Sequence, residues 1–239
     1  MSSGDDGRLF QEDHGQLLQE DQRQLLQEDQ RLLLQEDHGL LLQEDQRLLL
    51  HVCCGPCAAW PLGFFKRLGV DVEGLFYNPN IHPIEEFRRR STGAEQLFAG
   101  MCTPLRICSD YMQSEWEAYG RAQHDGGAGE RAQHDGYAGG LRAYESGAGG
   151  RCAMCYRLRL SYTARTASET GRRSFSTTLL ISPYQNHDLI KAICEEQAVL
   201  NNVRFYYHDF RPHFREGQYI ARELGIYRQK YCGCIYSVR

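Results

Sequence analysis

The chain has 239 residues, and no apolar run in it approaches the roughly 20 residues of a membrane span. Nothing in it is therefore expected to enter a bilayer. It does not open with a positively charged start and an apolar h-region, the mark of a secretory signal. That absence weighs against a disulfide framework despite ten cysteines. It favours reduced thiols or metal ligands in a cytoplasmic protein. Charge of one sign is not in large excess either. The formal net charge of −4 conceals an asymmetry: residues 1–47 carry 12 Asp/Glu against 4 Arg, and the remainder carries 23 Lys/Arg against 19 Asp/Glu. The larger part is mildly basic, which permits an anionic partner without demanding one.

Coiled-coil heptads are also missing. The tripeptide QED recurs at positions 11, 19, 27, 35 and 43 with leucines between. Eight residues at about 100° each overshoot two helical turns by roughly 80°, so the leucines wind around a helix instead of forming one seam. Residues 1–47 thus read as a low-complexity octad-repeat leader, disordered or partly helical. Residues 121–150 duplicate RAQHDG within a Gly-rich stretch that cannot build a core, and they read as a surface insertion. His124 and His134 in it are expected to be solvated repeat residues.

From residue 48 onward, strand and helix signals alternate. LLLHVCCGPC at 48–57 reads as a buried strand, a tight turn and a helix start. Strands are expected at 70–77, 104–108, 173–181 and 203–207. Helices are expected at 83–98, from Cys152 to Gly171, at 182–197 and at 214–224, with a helical piece at 109–119. This alternation predicts an α/β fold in one domain, 48–239: a mostly parallel, Rossmann-like sheet flanked by helices, with ligands at the strand carboxyl ends.

The candidate chemistry falls at those ends. Cys53 and Cys54 lie at the first turn. They point to opposite faces in a regular strand and serve one site only if the backbone bends. Proximity to a helix N-terminus eases thiol deprotonation. Cys152 and Cys155 form a C-x-x-C on a helix face with Leu158 and Tyr162. The two pairs together make a four-thiolate set that suits tetrahedral zinc or an iron-sulfur cluster, and adjacent cysteines lean toward the cluster. CGPC at 54–57 is also the thioredoxin tetrapeptide, although no convincing cis-Pro segment accompanies it. A zinc-structured RNA-binding module without catalysis is the third reading. Cys232 and Cys234 flank one Gly and can cycle as a close pair or stay reduced. Cys102, Cys108 and Cys194 have no partner pattern and are expected to be buried structural thiols.

HVCCGPC, FYNPNIHPIEEFRRR, RCAMCYRLRL, FSTTLLISPYQN, FYYHDFR and YRQKYCGCIYS, in this order, resemble the QueH family of epoxyqueuosine reductases across residues 48–237. The leader and the insertion are foreign to that pattern. The resemblance implies reductive removal of the epoxide of epoxyqueuosine at the tRNA wobble position, the last step of queuosine synthesis. It implies a 4Fe-4S cluster on Cys53, Cys54, Cys152 and Cys155, a second mononuclear iron with Cys57 as the residue to test, a redox-active Cys232–Cys234 disulfide, and no cobalamin. The implied partners are a tRNA anticodon loop and an external electron donor. His82, Tyr184 and Asp209 are candidate proton donors. Tyr77, Asn78, Asn80, Gln185 and Asn186 are candidates to orient the substrate hydroxyls, and YNPN is equally a turn signal. Candidate phosphate contacts are Arg88, Arg89, Arg90, Arg157, Arg159, Arg211, Arg215, Arg228 and Lys230.

Overall fold

The computed structural model describes residues 47–109, 150–234 and 237. The octad leader up to residue 46, the helical piece beyond residue 109 and most of the insertion, with His124 and His134, lie outside the described residues, and Arg47, expected to end the leader, opens the first strand. Leu48, Leu49 and Leu50 have no solvent exposure. A strand buried on both faces belongs in the middle of a parallel sheet, and β1, Arg47–His51, lies at its centre. It pairs with β2, Asp71–Phe76, on one side and β4, Ser174–Thr177, on the other. β3, Leu105–Ile107, and β5, Arg204–Phe205, complete the five-stranded order β3-β2-β1-β4-β5, and every pairing is parallel.

Helices connect the strands: α1, Gly55–Arg67; α2, Ile84–Gly100; α3, Gly150–Glu169; α4, His187–Asn201; and α5, Phe214–Glu223. This is the α/β architecture expected. The order of strands reverses between β1 and β4, so the carboxyl ends of these two strands mark the switch point at which open α/β sheets bind ligands. Trp60, Phe64, Phe65 and Phe210 pack together beneath α1, with Phe64 and Phe210 edge to face at 5.4 Å.

Two expected boundaries are corrected. The strand ends at Thr177 and not at 181, because the Thr177 hydroxyl accepts from Leu179 N–H at 3.2 Å and turns the chain into a 3-10 helix over Thr178–Ile181. The next helix starts at His187 and not at 182, because the Asn186 side chain caps it by accepting from Leu189 N–H. The sequence showed no convincing cis-Pro segment, yet the His82–Pro83 peptide is cis. Cys194 is buried as expected. Cys102 is exposed and Cys108 half-buried, so neither is a core thiol.

Candidate functional site

The chain leaves β1 at His51, and within three residues it enters α1 with Cys54 as the N-cap in extended conformation. This bend brings the Sγ atoms of Cys53 and Cys54 to 3.7 Å, which a straight strand would forbid. Cys57, one turn into α1, joins them: the three sulfurs all lie within 4.8 Å of one another, and all three residues are buried. Among the described residues this is the cysteine group whose sulfurs lie close enough to share one metal ion. Cys152 and Cys155 are not part of it.

The β4 end completes the surroundings of Cys53. Its N–H donates to the Thr178 hydroxyl at 3.0 Å, and that hydroxyl donates to Cys53 Sγ at 3.3 Å. Hydrogen bonds from Cys54, Cys57 and Thr178 hold the Cys53 thiol well below its usual range. Burial pushes the Cys54 thiol up, and the neighbouring sulfurs and burial push up Cys57. Cys53 is thus the first of the three thiols to ionise, and a cation among them would favour ionisation of the others. The eased deprotonation expected at the helix start is corrected: the two thiols there, Cys54 and Cys57, are pushed up, and the lowered Cys53 owes its shift to hydrogen bonds from its neighbours.

His51 is fully buried beneath the group. Its Nε2 lies 3.2 Å from the Tyr77 carbonyl, which can only accept, so Nε2 carries the proton and Nδ1 accepts from the Thr177 hydroxyl at 2.9 Å. Burial, with Arg159 second, pushes this imidazole down to about 4, so it is neutral at ordinary pH.

A second thiol group stands on α3 and the C-terminal segment. Cys155 is buried beside Met154 and packs against Leu158 and Cys234. Burial pushes its thiol up to about 12 despite the nearby Arg159 guanidinium, whose Nε donates to the Cys155 carbonyl at 3.2 Å. Cys152 is exposed. All ten cysteines are free thiols, and Cys232 Sγ donates to Ser237 Oγ at 3.0 Å. Arg90, itself buried, fixes the segment bearing this pair by donating to the carbonyls of Tyr231 at 2.8 Å and Cys232 at 3.1 Å.

The other candidates divide. His82 is buried next to this segment, its N–H donating to Gly233 O at 2.8 Å. Tyr184 is 82% exposed and lies edge to face on Phe214. Asp209 is committed to Arg211, which donates to both of its oxygens at 2.8 and 2.6 Å. That bond holds the Asp209 carboxyl below the usual range. Asn78 and Asn80 are buried, and Asn78 donates to Val52 O at 2.8 Å. Tyr77 stacks on Tyr162 at 3.9 Å. Gln185 accepts from the Tyr156 hydroxyl at 2.6 Å, and Asn186 is spent as the α4 cap.

Three of the proposed phosphate contacts are corrected. Arg90, Arg157 and Arg159 are buried, and Arg157 pairs with Glu196 at 2.6 Å, whereas Arg88, Arg89, Arg211, Arg215, Arg228 and Lys230 are exposed. Sequence reasoning missed His51, Thr178 and Gln229. All three lie inside the motifs HVCCGPC, FSTTLLISPYQN and YRQKYCGCIYS, but nothing in the sequence places Gln229 at a sulfur.

A parallel sheet that delivers buried thiols to its topological switch point defines an α/β protein with a metal- or redox-competent thiol centre. Comparison with known proteins narrows the class. The family described as epoxyqueuosine reductase QueH matches residues 48–239. Epoxyqueuosine reductase QueH of Dehalococcoides mccartyi is 33% identical over 190 residues, covering 79% of this chain and 90% of its own length. The Thermotoga maritima protein of that name is 33% identical over 194 residues, covering 79% and 88%. The Acinetobacter baylyi one is 30% identical over 194 residues, covering 80% and 79%. The chain belongs to the QueH family.

Proposed function

We propose that this chain is an epoxyqueuosine reductase acting on tRNA. The observation that carries the reading is the buried Cys53, Cys54 and Cys57 group at the β1–β4 switch point, in a chain that belongs to a family named for this reaction. Converting an epoxide to an alkene takes two electrons and two protons and releases the oxygen as water. Cys53 and Cys54, with Cys152 and Cys155, are the residues proposed to hold a 4Fe-4S cluster, and Cys57 is proposed as ligand to a mononuclear iron. The clustered part of this donor set, Cys53, Cys54 and Cys57, suits iron because it is all thiol and buried. Bound there, a cluster supplies single electrons, and an iron with an open position acts as a Lewis acid.

The protein's own groups do the rest. Cys54 and Cys57 first, and Thr178 after them, hold Cys53 as the most acidic thiol of the group. Asn78 and Asn80 are buried, Asn78 holding Val52 O just past β1, and they are suited to orient substrate hydroxyls, with Tyr77 fixed by stacking on Tyr162. Gln185, Asn186 and Arg211 act one step out, by fixing Tyr156, α4 and Asp209. Cys232 and Cys234 are proposed to cycle between dithiol and disulfide, fed by an external electron donor. Of the three candidate acids, His82 is favoured because it alone is buried next to that pair. Tyr184 lies on the surface, and Asp209 is held ionised.

The test is anaerobic iron and sulfide quantification on wild type and Cys152→Ala, together with conversion of epoxyqueuosine-containing tRNA. Iron, sulfide and queuosine should fall together in the variant. Full iron content in Cys152→Ala would remove that residue from the ligand set. Zinc in place of iron in anaerobic wild type would favour a structural module.

A further inference from the structure

The C-terminal segment carries a carboxamide whose position neither the thiol chemistry nor the family match assigns. Gln229 Nε2 donates to Cys54 Sγ at 2.8 Å and lies 3.6 Å from Cys57 Sγ. Its Oε1 is buried without a hydrogen-bond partner, so the sulfur contact fixes which way the amide points. Both flanks of Gln229 are anchored. Ile226 fills a notch where α1 and α2 touch: a methyl on Gly55 would lie 2.8 Å from Ile226 Cγ2 and 2.6 Å from Gly93 O. Downstream, Arg90 holds the carbonyls of Tyr231 and Cys232, and Glu86 accepts from both Arg90 Nε and the Tyr227 hydroxyl at 2.7 Å. A side chain so pinned, with its acceptor left unpaired, is aimed at the sulfur.

We propose that Gln229 is a positioning residue that acts through Cys54, donating a hydrogen bond to its sulfur and thereby setting the reduction potential of the metal group the thiols hold. This rests on the reading that these thiols hold a redox-active metal. A donor to a ligating sulfur withdraws charge from it and favours the reduced state, and such bonds are one lever on cluster potentials. Gln229→Glu keeps the shape and removes the donor. Gln229→Met keeps the length and removes all hydrogen bonding.

The experiment is an anaerobic redox titration of reconstituted wild type and both variants, followed by electron paramagnetic resonance, with iron content and Tm measured on the same samples. The equilibrium constant for one-electron reduction should fall about tenfold in each variant, equivalent to 59 mV. An unchanged potential at full iron content overturns the proposal. Cobalt(II) loaded on the thiols gives a second readout that needs no cluster. The sulfur-to-cobalt charge-transfer band should move to lower energy in both variants, and an unmoved band overturns the proposal. Wild type that takes up no iron, with the cobalt band still moved in both variants, rejects the cluster reading and leaves the Gln229 assignment standing. Uptake of neither metal overturns both.

Discussion

Thr178 shows how much a single hydroxyl is asked to do at the thiol centre. It accepts from the Cys53 backbone and donates to the Cys53 sulfur, so it fixes the bend and adds to the hydrogen bonds from Cys54 and Cys57 that lower that thiol. Thr178→Val keeps the shape and removes both bonds. Iron affinity should drop 10- to 100-fold, the usual cost of losing a group that orients a ligand, with competition against a chelator as the readout. Asp209 illustrates the opposite case, a carboxyl consumed by structure. Arg211 lowers its pKa, so its stabilisation is present above the ordinary carboxylate range and is lost as pH falls through the lowered folded value. Both side chains are substantially exposed, which keeps the effect small. In Arg211→Gln the Asp209 titration, followed by NMR, should return toward the ordinary value, and an unmoved curve would discard Arg211 as the cause.

At the scale of elements, α1 decides the site. Its first turn holds Cys57, its N-cap is Cys54, and its start lies against α2 because neither Gly55 nor Gly93 has a side chain. Gly55→Ala would force backbone at Gly93 to move. Overpacking of this kind costs about 1–3 kcal/mol. Thermal unfolding should register that loss, and iron retention should fall with it because the displaced turn carries two of the thiols. Retained iron at lowered Tm would show that the thiol group tolerates a shift of α1.

For the whole molecule, the charge asymmetry seen in the sequence acquires a location. Arg88, Arg89, Arg215, Arg228 and Lys230 are exposed cations on α2, α5 and the C-terminal segment. If the tRNA backbone crosses them, replacing them with alanine should weaken binding similarly for all sequences and lower the salt slope by about one for each phosphate no longer neutralised. An unchanged slope would move the interface elsewhere. Arg90, Arg157 and Arg159 belong outside such a set, since each is buried with partners of its own.

Hydrophobic period, turn residues and spacing are local properties, so the alternation of elements, the parallel sheet and the placing of cysteine motifs at strand ends are all legible in the chain before it folds. Apolar β1 announces its burial on both faces, and CCGPC announces a bend at its end. Tertiary structure alone decided which sulfurs meet. Cys57 joins Cys53 and Cys54 because α1 starts at once after the bend, whereas Cys155 keeps company with Cys234, about 80 residues later in the chain. It also decided which arginines are buried, and it brought Gln229 to Cys54 across 175 positions of sequence. These are long-range juxtapositions, set by how helices pack on the sheet, and no local pattern encodes them.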